Sequence, residues 1–465
     1  MSDPDSPWAI DGAHPPAARP LDGEHHARFA IVGGGFTGLV LALHLARNIG
    51  GDRVCVLERG RLGAGASTRN SGMIGPGIQG PYHRLVARLG NERARMTFAA
   101  TEAAVREATA LIVEEGLDAQ LVRGRQCKVA ATVSGRRALH AEARALRADG
   151  FDVGWLEGDT LGRTAVNARY LAALVYPDTA TIQPWLLVRA LRERLEGLGV
   201  RLHEHTAVRS LRTRATGVTL DCSAGTLKAE RVVLATNAAL PELGALRHRV
   251  FPVGAHLMRS TPLPADALQR LGLDERTALI ENRRIFNYFR LAADNRLVFG
   301  GGRPFLPARG AQTSCEPTRQ GRAGIDRELR RLFPDVPELA PERLWSGVMG
   351  FTIDNWPVIS GSADARIVAA GAWCGHGLAL SLGGGRTLAA RLLGQCDPNG
   401  FEPPWFRERA PLVPPGPWLR PALCTYIGSL RALDIGAALG HALHSRRPAV
   451  HRPLPTPPPP RSTSR

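Results

Sequence analysis

Six residues, Gly33-Gly34-Gly35-Phe36-Thr37-Gly38, constrain this chain more than any others. Their glycines at 33, 35 and 38 have G-x-G-x-x-G spacing. They follow Phe29-Ala30-Ile31-Val32, a short apolar run of the buried parallel-strand kind. They open a segment with Leu39, Leu43 and Ala46 at helical spacing, and Arg53-Val54-Cys55-Val56-Leu57 then reads as a second buried strand. In a strand–turn–helix of this kind Gly33 allows the tight turn and Gly35 lets the backbone approach a pyrophosphate. Gly38 lets helix and strand pack closely, and the helix N-terminus offers free N–H groups and a positive dipole end. Glu58 lies twenty residues after Gly38, where a carboxylate accepts hydrogen bonds from ribose hydroxyls. An ordinary glycine-rich turn explains the glycines, but not the strand, helix and acid together. The unit alone does not separate NAD from FAD.

The rest of the 465 residues supports two domains. Residues 1–27, rich in Pro, Ala, His and Asp, read as a loosely ordered lead-in. Residues 90–148 look helical apart from a strand near Cys127-Lys128-Val129-Ala130. Residues 185–240 return to α/β alternation, with a helix from Leu186 to Leu198 and strands near Val208–Leu211, Gly217–Leu220 and Arg231–Ala235. Between 245 and 305 the pattern is β-rich, and Asp294-Asn295 supplies hairpin turn chemistry between residues 286–291 and 296–300. A helix near 320–333, a glycine-rich stretch and a closing helix over Gly383–Leu393 follow. Residues 411–465 turn proline-rich and basic. Tyr426–His444 reads as an amphipathic helix docked on the protein's own body, because Arg431 and Asp434 interrupt its use as a membrane anchor. Disorder is expected from about 445, past which Pro457–Pro460 cannot pack.

A net charge of +17 invites a nucleic-acid reading, but Lys128 and Lys228 are the only lysines and the arginines are scattered, often beside acids. No nucleic-acid partner is expected. Seven widely spaced cysteines without a Cys-x-x-Cys argue against a disulfide framework and a zinc site, and fit a reducing cytoplasm. Neither a secretory leader nor an apolar run long enough to span a membrane is apparent, so a cytoplasmic protein is expected.

The segment Ala64-Gly65-Ala66-Ser67-Thr68-Arg69-Asn70-Ser71-Gly72-Met73 is small, polar and suited to run along an extended cofactor. With it come Ile31–Leu39, Val232-Val233-Leu234-Ala235-Thr236-Asn237-Ala238, Asn287–Leu291, Arg296–Gly302, Trp345-Ser346-Gly347, Pro357 and Gly371–Leu378. As an ordered set these blocks resemble the D-amino-acid oxidase-like superfamily of FAD oxidoreductases, most of all the γ-glutamylputrescine oxidase and glycine–sarcosine oxidase branch. The resemblance implies a Rossmann-like α/β FAD-binding domain assembled from residues 28–90, 155–240 and 341–410. A β-rich α+β substrate domain would take residues 91–154 and 241–340, followed by an extension over 411–444.

The cofactor would meet Gly33, Gly35, Phe36, Thr37, Gly38, Glu58 and Arg59 at its ADP half, with Val208, Thr236 and Asn237 on the adenosine side. Ala66, Ser67, Arg69, Asn70, Ser71, Gly72, Met73 and Gly347 would lie near the flavin. Gly375, His376, Gly377 and Leu378 would approach the pyrimidine edge, where N–H groups stabilise an anionic reduced ring. Tyr288 and Trp373 would face substrate, although their types equally suit core aromatics, and His376 equally suits a loop brace.

The departures from the pattern are informative. No cysteine stands near Gly347-Val348-Met349-Gly350 and no histidine near Arg69–Gly72, which implies noncovalent FAD. Met349 occupies the place where glycine oxidase-like relatives carry a carboxylate-binding arginine. Val298 stands where sarcosine oxidase-like relatives carry an oxygen-activating lysine. The implied reaction is oxidation of a C–N bond of an amine or amino acid, with hydride passing to flavin N5, the imine hydrolysed, and oxygen or an electron carrier taking the electrons. An NAD-dependent dehydrogenase and a flavin-binding protein without turnover are the alternatives.

Overall fold

The computed structural model describes residues 6–9, 17–78, 80–162, 170–307, 316–362, 364–395, 401–414 and 416–445. Two sheets organise them. The first has eight strands, with the path 358–360, 367–371, 225–234, 23–32, 54–57, 201–203, and a hairpin of 208–214 and 217–222 attached to 225–234. Strands 23–32, 54–57, 201–203, 225–234 and 367–371 pair in parallel. Parallel strands are covered on both faces, which is why Ala30-Ile31-Val32 and Val54–Leu57 are buried without alternation.

Three helices, Phe36–Ile49, Asn91–Glu114 and Gly377–Leu392, pack together against this half. Glycine makes their approach possible. A Cβ on Gly383 would lie 2.2 Å from the Ala104 carbonyl oxygen, and one on Gly385 2.5 Å from a Val40 methyl. The cost of glycine inside a helix is offset by this close crossing.

The second sheet has nine strands along the path 341–351, 251–260, 297–305, 288–291, 277–281, 122–130, 172–181, 73–74, with 154–157 added beside 172–181. Its pairs are antiparallel except 122–130 with 277–281. Helix Arg319–Leu332 covers it, closing a core around Phe289, Phe299, Leu329 and Phe333.

Several expectations change. Strands Ala172–Thr181 and Pro341–Phe351 belong to the second sheet, although their flanks group them with the dinucleotide half. Helix Asn91–Glu114 packs on the first half's closing helix, although it was expected in the substrate domain. Local hydrophobic period fixes an element's type, not the sheet that pairs with it. The closing helix begins at Gly377 rather than Gly383. The C-terminal helix runs Gly416–Ser445, ten residues longer at its start than expected. The lead-in is not loose where it is described. The first strand begins at Gly23, Leu21 is fully buried, and Trp8 is 1% exposed. The Trp8 indole donates to the Asn70 carbonyl (3.0 Å), and its ring meets Trp345 edge-on at 5.9 Å. Residues 446–465, expected to be disordered, lie outside the described residues. Among the described residues no helix is long and apolar enough to cross a membrane.

Candidate active site

The strand Gly23–Val32 ends against the loop after the parallel strand Gly225–Leu234, and there the chain has no room for side chains. Gly33 sits at φ +114°, and a Cβ on it would lie 2.7 Å from the Ala235 carbonyl oxygen. One on Gly35 would meet Ser67 Oγ at 2.8 Å, and one on Gly38 the Gly33 oxygen at 2.0 Å. Helix Phe36–Ile49 starts at once, with no acid in its first turn and no side chain on its capping residue Gly35. Ser67 Oγ accepts from the Phe36 N–H at 2.9 Å, so the following loop is tied to the helix mouth. The mouth keeps a positive dipole end and N–H groups for an anion.

Glu58 closes the other side. Its two oxygens accept from Gly34 N–H and Gly60 N–H, each at 2.8 Å. Burial pushes its carboxyl up, while the two N–H bonds oppose that. Arg59 pairs with Glu242 at 3.1 Å on the rim. The Thr236 hydroxyl is buried beside Gly33 and has no hydrogen-bond partner among the described residues. Asn237, at φ +49°, accepts from Ala372 N–H at 3.1 Å and so links this rim to the 372–378 loop.

The loop at 66–73 is held from below. Asn70 donates to the Ala66 and Ser67 carbonyls and accepts from Gly72 N–H at 2.8 Å. Arg290, 3% exposed, donates to the Ser71 carbonyl at 2.6 Å and the Ile182 carbonyl at 2.7 Å. Burial pushes its guanidinium down to about 10, still fully charged at neutral pH. Gly347 lies close against Arg69, whose carbonyl also accepts from the Trp345 indole at 3.3 Å.

The loop before helix Gly377–Leu392 turns through three positive-φ residues, Ala372 (+51°), Cys374 (+51°) and Gly375 (+90°). His376 Nδ1 pairs with the Cys374 carbonyl at 3.2 Å, and the Trp373 indole donates to Thr37 Oγ1 at 3.0 Å. Trp373 is therefore a brace between this loop and the first helix, as well as a lining residue. Burial holds His376 down at about 4, and the charge of Lys128 adds to that, so the ring is neutral at pH 7. The Cys374 thiol is buried, points to the Ala372 carbonyl at 3.0 Å, and is pushed up to about 11.

Most of these residues line one cavity of about 2230 Å³, with Arg290 and Trp345 behind its lining, and it is larger than the roughly 300–1,000 Å³ of an ordinary small-molecule pocket. Of the residues expected at the site, all line it except Gly38 and Gly72. These two are buried just behind it, and their role is to let the chain pass: a Cβ on Gly72 would lie 2.1 Å from the Ile182 carbonyl oxygen. Tyr288 lies flat on Gly300, where a Cβ would be 2.2 Å from its ring, and burial pushes its hydroxyl up.

Sequence reasoning missed three contributors. Lys128 was set aside because it falls outside the expected hairpin, yet it lines the cavity and binds the buried Glu142 at 2.8 Å. Arg290 stands in a quoted block without a role. Glu204, 1% exposed, accepts from Ala18 and Leu62 N–H at 2.6 Å and ties the lead-in to the loop after Glu58. Only a glutamate between two short strands hinted at the last.

Backbone N–H groups at a helix mouth, glycines without room for Cβ, an unsatisfied buried hydroxyl and a ribose-type carboxylate fit a dinucleotide with a bulky ring beyond it. Comparison with known proteins decides which. The family model described as FAD dependent oxidoreductase (DAO) matches residues 28–391. The chain is 31% identical over 363 residues to glycine oxidase of Geobacillus kaustophilus, covering 75% of this chain and 88% of that one. It is 27% identical over 378 residues to the probable oxidoreductase OrdL of Rhizobium meliloti (81% and 85% covered), and 26% over 386 residues to γ-glutamylputrescine oxidoreductase of Escherichia coli (79% and 84%). The crystal structure of the Geobacillus glycine oxidase shares the fold, with a TM-score of 0.66 over 82% of this chain and 98% of that one, at 24% identity. This chain belongs to the DAO family of FAD-dependent oxidoreductases.

Proposed function

We propose that the protein oxidises a C–N bond of an amine or amino acid at a noncovalently bound FAD. One observation carries this reading: a single cavity runs without a break from the glycine-lined helix mouth at Gly33–Thr37 to a wall bearing Tyr288 and Lys128. The first end suits a pyrophosphate, and the second leaves a face on which a small molecule can lie against the ring.

The chemistry FAD supplies when bound is acceptance of a hydride at N5, leaving an imine that water hydrolyses. The chain's residues hold and position. Gly33, Gly35, Phe36 and Thr37 would hold the pyrophosphate, Glu58 the ribose, and Val208 and Thr236 the adenosine side. Ser67–Met73, braced by Arg290, and Gly347 would flank the ring. The N–H groups of residues 375–378 sit at a helix N-terminus and would stabilise negative charge at the pyrimidine edge without a cation, since His376 is neutral. Noncovalent binding is supported by the lack of a cysteine at Gly347–Gly350 and of a histidine at Arg69–Gly72. Tyr288 forms the wall facing substrate.

The test is anaerobic bleaching of the bound flavin by a panel of amines and amino acids, followed by air and peroxide detection. Bleaching with release of a carbonyl compound is expected. Peroxide on readmission of air identifies oxygen as acceptor, and slow reoxidation a carrier. A flavin that no member of the panel bleaches would overturn the proposal.

A further inference from the structure

The family match stops at residue 391, yet the chain returns to the cavity. Helix Gly416–Ser445 places Leu423, Ile427, Leu430 and Asp434 at steps of four, three and four residues, so all four share one face. These four are half-buried and line the cavity. Asp434 pins the helix: its carboxylate accepts from the N–H groups of Arg284 (3.2 Å) and Ile285 (2.9 Å), just before the strand that carries Tyr288. Near the other end Arg420 reaches the Pro307 carbonyl at 3.5 Å.

Ile285, Phe286, Tyr288 and Leu306 line the same cavity, and Asp434 of the helix holds the Ile285 N–H. The charged groups at this end already satisfy one another. Glu281 binds Arg283 (3.3 Å) and Arg331 (3.0 Å), and Glu328 binds Arg331 (2.8 Å). What the helix adds to the cavity is mainly hydrocarbon, from Leu423, Ile427 and Leu430 beside Tyr426.

We infer that the C-terminal helix forms a substrate subsite for an aliphatic substituent, with Leu423, Ile427 and Leu430 as its wall. The inference rests on the amine-oxidising reading. The occupant is set by continuity: the subsite opens into the same cavity as Tyr288 and the 375–378 loop, so the chain that fills it belongs to a molecule whose reactive end reaches the ring. The consequence is selectivity for amines with a long apolar group over small amines such as glycine.

Straight-chain carboxylates from propionate to octanoate test this, because they lack the amine and cannot be oxidised there. Their binding is read from the perturbed spectrum of the bound flavin. In the unaltered protein affinity is expected to rise by up to roughly fourfold per methylene as the chain enters the subsite. In Ile427→Ser/Leu430→Ser, and in a chain ended after Pro414, the rise is expected to fall below about twofold per methylene. Flavin content and melting temperature of each variant confirm that it is folded. Equal increments in all three proteins, or none in the unaltered one, would overturn the inference. If carboxylates behave as expected while no amine bleaches the flavin, the subsite stands and the amine reading falls.

Discussion

The floor of the cavity and its outer wall are made from opposite materials. The floor, from Gly33 to Glu58 and again at 372–378, is main chain: glycines pressed on carbonyls, N–H groups at two helix mouths, and one carboxylate spanning two loops. The wall, from 128 to 142, from 281 to 331 and in the C-terminal helix, is side chain: ion pairs among Glu281, Arg283, Glu328 and Arg331, the Lys128–Glu142 pair and an apolar helix face. A main-chain surface suits a cofactor that never changes. A side-chain surface is free to differ between relatives that share the cofactor and not the substrate.

The sharpest way to break this contrast is to give the floor a side chain. In Gly38→Val the new atoms collide with the Gly33 carbonyl, and nothing flexible can yield. Bound FAD should be lost entirely and stability should fall by more than about 4 kcal/mol. The flavin-to-protein ratio and a denaturant titration measure both. A variant that keeps its flavin would show that the floor is not limited by main-chain contact.

The wall should fail differently. Glu281 is 2% exposed and accepts from Arg331, Arg283, Asn287 and the Tyr170 hydroxyl. Glu281→Ala should cost about 3 kcal/mol, discounted because both arginines are partly exposed. It should keep FAD at a full ratio while weakening substrate binding. Loss of flavin in this variant would merge the two regions into one unit.

Acid acts on both. His44 and His376 on the floor and His256 in the second sheet are each held down at about 4, first of all by burial. A histidine whose folded pKa lies below its unfolded value of about 6.5 binds fewer protons when folded. Its contribution is complete above pH 6.5 and is lost as pH falls towards 4, by about 1.4 kcal/mol per pH unit for each histidine. His256→Gln should flatten the slope of urea stability against pH by one such increment. An unchanged slope would place its titration elsewhere.

The smallest effect separates neighbours in one helix. Gly383→Ala must displace the Ala104 backbone, whereas a Cβ on Gly384 meets nothing within 4 Å. Gly384→Ala should raise stability by about 0.5–1 kcal/mol and Gly383→Ala should lower it. Thermal melts of the pair are sufficient.

The same contrast explains what was legible from sequence. The floor announces itself because main-chain contacts allow only glycine at 33 and 38, with Gly35 close against Ser67 Oγ, and because the strand, helix and acid fall at set intervals around them. The family blocks and the FAD they imply followed from that order. The wall does not announce itself, because its partners are far apart in the chain. Arg290 holds Ser71 across 219 positions, Asp434 holds Ile285 across 149, and Trp8 holds the 66–73 loop from a segment whose composition reads as loosely ordered. Lys128 was passed over because it lies outside the hairpin where relatives carry a lysine, while its place at the cavity depends on pairing with 172–181 on one side and 277–281 on the other. The closing helix was expected from Gly383 and begins at Gly377, and only the neighbouring helices explain Gly383 and Gly385 within it.

The most direct test of a main-chain floor gripping FAD without a covalent bond is to purify the protein, record its visible spectrum, denature it and separate polypeptide from supernatant. The account predicts a flavin spectrum, about one FAD per chain, and all of it in the supernatant. A colourless protein, or colour that stays with the polypeptide, would contradict it.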